Sequence, residues 1–166
     1  MRELPPWLTD LFALLERSGL GDFIRATPNV YPVLMSLHVL GIAMLLGGAL
    51  ALDMRLLGIG RRVLSVKALA GLLLPFSRVG FVLVAGTGVL MFTAVAASVG
   101  SSAAAPWKLG LVVLSGINIV VFHAGIYRSI SSWDIDAETP WQAKLAGGVS
   151  AATWTLVIFA GRFLAY

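Results

Sequence analysis

The chain has 166 residues, of which 58% are hydrophobic and only 12% charged, with a mean hydropathy of +0.91; a water-soluble domain of this length could not cover its surface with so little charge. The absence of cysteine excludes structural disulfides, thiolate metal sites and haem attached through cysteines, which leaves His, Met, Lys and oxygen atoms as ligands for any cofactor. The net charge of +4 comes mostly from basic residues that flank apolar runs, so it points to anionic lipid headgroups and not to nucleic acid.

The N-terminal 30 residues carry scattered acids and lack an uninterrupted apolar core before a small-residue cleavage site, which is not the pattern of a cleavable signal peptide. Trp7, Leu8, Leu11, Phe12, Leu14 and Leu15 recur at helical spacing. They predict an amphipathic helix over about residues 5–18, lying on the membrane surface, with Pro5 and Pro6 in its first turn and Gly19 and Gly21 at its end.

Four apolar runs then follow, Tyr31 to Leu57, Phe76 to Ser98, Trp107 to Ile130 and Trp141 to Leu164, each long enough for the roughly 20 residues that a helix needs to cross the hydrocarbon. The predicted fold class is therefore all-α: a four-helix integral membrane bundle, one domain over 1–166, with an interfacial N-terminal helix. Of the connections, "GIGRRVLSVKALAGLLLP" is basic and is expected to lie on the inner leaflet, "VGSSAAAP" is nearly uncharged, and "SSWDIDAETP" is acidic. Arg55, Arg61, Arg62, Lys67 and Arg78 cluster around the first loop, which the positive-inside rule places in the cytoplasm. Both termini then face the periplasm. Arg2, Arg17, Arg25 and Arg162 fall on the other side of that assignment.

Glycine recurs inside every span and lets helix backbones approach in lipid, where little hydrophobic force drives them together. This composition also predicts a homo-oligomer with lipid at its contacts. A glycine beside a flat macrocycle gives clearance as well, and Gly41 and Gly48 share a helical face with His38. Polar groups at depth are costly in hydrocarbon and mark an interior, a cavity or a partner. In the first span these are His38, with Met35 a turn before it, and the exit pair Asp53 and Arg55. In the third they are Asn118 and the stripe Lys108, Val112, Gly116, Ile119, His123 and Tyr127.

Depth separates the two histidines. In an up-and-down bundle the first and third spans run parallel, and His38 and His123 differ in height by roughly 16 Å at helical rise. They are therefore expected at two levels and not on one iron. His38 either ligates a cofactor or serves as interhelical glue, and the same alternatives hold for His123; Asp53 and Arg55 read most simply as an interfacial ion pair or a headgroup contact. No Ser-His-Asp order, phosphate loop or paired carboxylate points to a hydrolase or transferase.

The segments "YPVLMSLHVLGIAMLLGGALALDMRLLG", "LPFSRVGFVLVAGTGVLMF" and "PWKLGLVVLSGINIVVFH" resemble an uncharacterised family of bacterial four-helix inner-membrane proteins over nearly all of the chain after residue 28. The matching features are His-x-x-Gly with an Asp-x-Arg-x-x-Gly exit, the Gly and Thr-Gly of the second span, and the Lys and Asn of the third. More distantly the pattern is similar to four-helix haem b proteins and to copper-resistance membrane proteins of the D type.

Three functions are open at this point. The first is electron transfer through haem b, with His38 as axial ligand, Gly41 and Gly48 giving clearance, Lys108 near a propionate or opposite the iron, and His123 at a second level; the redox partner would be a quinone or a periplasmic protein. The second is copper handling through Met35 and His38. The third is a scaffold or accessory subunit that binds no cofactor.

Overall fold

The computed structural model describes residues 4–164 and is all-α, and the described residues contain no strand. Four helices are long and apolar enough to cross a membrane: α3 (Val30–Leu56), α4 (Val66–Ala94), α6 (Ala104–Ala124) and α7 (Trp141–Phe163). Two short helices precede them, α1 (Pro6–Glu16) and α2 (Gly19–Ala26), and α5 (Ala96–Ser101) follows α4. The all-α four-span expectation holds, and the boundaries shift in three places.

The helix expected over 5–18 is present as α1 (Pro6–Glu16), and a second helix, α2 (Gly19–Ala26), follows it directly. The break falls at Ser18, whose hydroxyl accepts from Gly21 N at 3.1 Å and caps α2, so Gly19 and Gly21 open a helix where they were expected to close one. Gly21 has no room for a side chain: a Cβ there would lie 2.7 Å from the Thr93 carbonyl oxygen of α4.

The second span begins ten residues earlier than the hydropathy suggested. Ser65 caps it by accepting from Ala68 N at 3.0 Å, and the Asp134 carboxylate accepts from Lys67 N at 2.8 Å. The stretch from Val66 to Leu74, expected on the inner leaflet, thus forms the first turns of α4. Pro75 stays inside the helix with its ring exposed. The third span ends earlier, because Gly125 adopts φ −100° and ψ −113°, which no α-helix continues; a 3-10 helix takes over at Ile126–Ser132.

Helix packing follows small residues. At Gly41 a Cβ would come 3.1 Å from Gly80 O and 2.9 Å from a Val84 methyl, and at Gly80 one would come 2.6 Å from Leu45 N, so α3 and α4 run almost backbone to backbone. On its other side α3 packs on α7, and α7 packs on α6. Among the described residues α4 and α6 make no close backbone approach, so the row α4–α3–α7–α6 leaves an opening between its outer members. The buried core sits at the basic end, where Leu52, Leu56, Val66, Ala70, Phe122, Trp133 and Ala143 form one cluster.

Candidate functional site

His38 projects from α3 toward α4. Its Nδ1 lies 2.9 Å from the Thr87 hydroxyl, and that hydroxyl spends its proton on Leu83 O at 2.6 Å in its own helix. Thr87 Oγ1 is therefore the acceptor and His38 Nδ1–H the donor, with the Val84 carbonyl a further acceptor for the ring. This fixes the tautomer and leaves Nε2 with a bare lone pair. Gly88 accommodates the ring, since a Cβ at that position would stand 3.3 Å from His38 Cε1.

Lys108 of α6 is close enough to His38 to act on it electrostatically, and its ammonium lies against Gly161 of α7, 3.6 Å from where a Cβ would be. All four spans thus contribute to one level: His38, Thr87 with Gly88, Lys108 and Gly161. Among the described residues no carboxylate pairs with this cation. The ion pairs among the described residues are Arg25 with Asp22 and Arg61 with Glu138, neither of which involves Lys108.

The expected neighbourhood of His38 and Lys108 is present, but Gly41 and Gly48 do not open it. Both glycines face α4, and the room they provide is taken up by Val84 and Gly80 at Gly41 and by Ser77 and Leu73 at Gly48. Clearance for a cofactor at His38 is not theirs to give. Met35 is exposed on α3, one turn before His38.

His123 lies at the opposite end. Its neighbour Phe122 packs in the cluster with Leu56, and 18 residues separate Leu56 from His38, about 27 Å at helical rise. The separation of the two histidines is larger than the sequence suggested, because α6 begins at Ala104 and stops at Ala124. His123 Nδ1 donates to Ile119 O of its own helix at 2.9 Å, and its ring packs at 5.0 Å from Tyr127 and 5.2 Å from Phe122. Asn118 meets a different partner, donating to Ala146 O of α7 at 2.9 Å.

Asp53 and Arg55 are not a pair. The Arg55 guanidinium, 1% exposed, turns to the loops and donates to Leu64 O at 2.5 Å, Asp134 O at 2.6 Å, Thr139 Oγ1 at 3.3 Å and Arg61 O at 3.5 Å. Asp53 points instead to α7, where Gly147 and Ser150 lie against it. Two residues along a helix turn a side chain by about 200°, and that rotation divides them. The Thr87 hydroxyl bonds to its own helix and also orients His38. Only a register between α3 and α4 reveals this second role.

Compared with known proteins, the chain matches no family model, no curated protein and no solved structure. The four-span architecture is the part of the resemblance that the fold carries.

Proposed function

We propose that this four-span membrane protein is an electron-transfer subunit that binds haem b through His38. The observation that supports it is the imidazole itself: Nδ1–H is anchored by Thr87, which leaves Nε2 free as a ligand lone pair, the arrangement in which an outer hydrogen bond orients a metal-binding histidine. The donor set fits such a group in a second respect. Lys108 supplies a cation at the same level with no carboxylate partner among the described residues, suited to a propionate. When bound, haem would supply one-electron chemistry, and the chain would hold it, fix the ligand's tautomer and exclude water.

The protein purified from haem-sufficient cells, or reconstituted with hemin, is expected to show a Soret band and a reduced alpha band that vanish in His38→Ala and persist in His123→Ala. If the wild type shows neither band, the haem reading is lost. Copper that depends on Met35 and His38 would then replace it, and no metal at all would leave an accessory subunit.

In this reading the protein sits in a bacterial inner membrane with loop 57–65 in the cytoplasm and both termini outside. That orientation places His38 near the periplasmic face, within reach of a periplasmic redox protein or a quinone. Single cysteines at positions 20, 64, 103 and 136, probed with an impermeant thiol reagent on intact cells, check it, and labelling at 64 without labelling at 103 would reverse it. Self-association belongs to the same reading. Gly47, Gly86, Gly110 and Gly116 meet no neighbour within the chain and leave flat faces for a second copy, which the mass in nanodiscs would reveal.

A further inference from the structure

Asp53 is 5% exposed and is the one buried carboxyl among the described residues. Its Oδ2 has no hydrogen-bond partner, and the polar group that faces the carboxyl is the Ser150 hydroxyl of α7. No cation compensates it. At this end Arg55 is bound to the loops, Lys67 of α4 and Lys144 of α7 are exposed, and His123 of α6 donates to its own helix; none of these acts on Asp53 electrostatically. An isolated carboxylate in so dry a place costs far more than a neutral acid, and the usual resolution is to keep the proton.

The surroundings extend the polar character inward. Thr153 Oγ1 donates to Ser150 O at 3.1 Å and to Val149 O at 2.8 Å, and it accepts from Ser115 Oγ of α6 at 2.9 Å. Ser150, Thr153 and Ser115 are all buried. Buried hydroxyl side chains therefore lie from Asp53 across α7 to α6 at mid-bundle, in spans of high mean hydropathy. Intramembrane acids with such companions are the groups that bind and pass protons.

We propose that Asp53 is a proton-binding site of the bundle, held as a neutral carboxylic acid between α3 and α7 and exchanging its proton with water at the basic end. The step is reversible protonation of one carboxylate oxygen, Asp53–COO⁻ plus H⁺ giving Asp53–COOH, with no other reactant. It does not depend on any cofactor at His38, which lies about 22 Å away, 15 residues along the same helix.

Infrared spectroscopy of the full chain in lipid nanodiscs tests it. The other described carboxyls are exposed or partly exposed, so at neutral pH an acid C=O band should come from Asp53. The expected result is a band that is lost in Asp53→Asn, moves in Ser150→Ala, shifts in D2O and disappears reversibly on going to alkaline pH. Should Asp53→Asn fail to fold, Ser150→Ala and Asp53→Glu keep the assignment open to test, because each must move the band without abolishing it. No acid band at neutral pH overturns the proposal. So does a band indifferent to all three substitutions, or one that neither exchanges with D2O nor titrates.

Discussion

The two ends of the bundle treat charge in opposite ways. At the basic end Arg55 is buried and fully engaged by backbone carbonyls, and the Asp134 side chain accepts from Ser65 Oγ at 2.8 Å and from Lys67 N. One guanidinium and one carboxylate thereby tie loop 57–65, loop 133–139 and the start of α4 into a lock. At the other end His38 and Lys108 converge, and no carboxylate among the described residues pairs with them. The loop lock joins its polar groups to one another, whereas His38 and Lys108 meet across helices through electrostatics alone.

The sharpest way to break this contrast is at Arg55. Arg55→Ala strands the loop carbonyls of Leu64, Arg61 and Asp134 and the Thr139 hydroxyl, and should cost on the order of 3–5 kcal/mol at about 1–3 kcal/mol for each buried group left unsatisfied, read as a large fall in unfolding temperature in detergent. Lys108→Met should cost far less, since no partner is stranded, and an equal loss in both variants would erase the distinction. Next in size is Gly48→Leu. Its side chain must enter the space of Ser77, and the expected loss is about 1–3 kcal/mol by the same measurement.

Asp134 gives a smaller effect with a defined pH dependence. Its burial alone would raise the carboxyl's pKa, but hydrogen bonds from Lys67, Ser65 and Val66, together with nearby Arg55, bring it below the ordinary aspartate value. A depressed pKa in the folded state contributes stability above the unfolded pKa and loses it as pH falls through the folded one. Removing these bonds in Asp134→Asn should cost about 1 kcal/mol at neutral pH, a typical cap value, with the difference from wild type shrinking below about pH 4. Unfolding temperatures of both proteins across that range would show it, and a constant difference would contradict it.

The smallest effect is at Thr87. Thr87→Val removes the acceptor that fixes His38, worth about 1 kcal/mol of tautomer preference, and nitrogen NMR of the ring should change from one dominant tautomer toward a mixture. An unchanged ring would mean that the Val84 carbonyl alone sets the tautomer.

Length and hydropathy were enough to read four spans, and the polar residues His38, Lys108 and Asn118 were visible because nothing else in those spans resembles them. Three features escaped. The start of α4 is capped locally by Ser65, but the Asp134 carboxylate that also holds its first turn lies 67 residues away from Lys67, beyond any local window. Gly41 and Gly48 were correctly placed on one face with His38, but a helical wheel shows which residues share a face and not which neighbour occupies it. Asp53 and Arg55 were paired by proximity in sequence and by opposite sign, whereas the loop carbonyls that claim Arg55 belong to segments with no periodicity to read.

The N-terminal helices are held by bonds to a distant corner. Arg25 Nη1 donates to Ala94 O at 2.9 Å, Ala97 N donates to Glu16 Oε1 at 2.8 Å, and Phe12 packs edge-on to Phe92 with ring centroids 5.7 Å apart. These contacts join residues 69 to 81 positions apart. During synthesis α1 and α2 therefore leave the ribosome long before the corner at Ala94 to Ala97 exists. They reach their final place only after the second span has been made and inserted, so a segment translated ahead of all four spans settles after two of them.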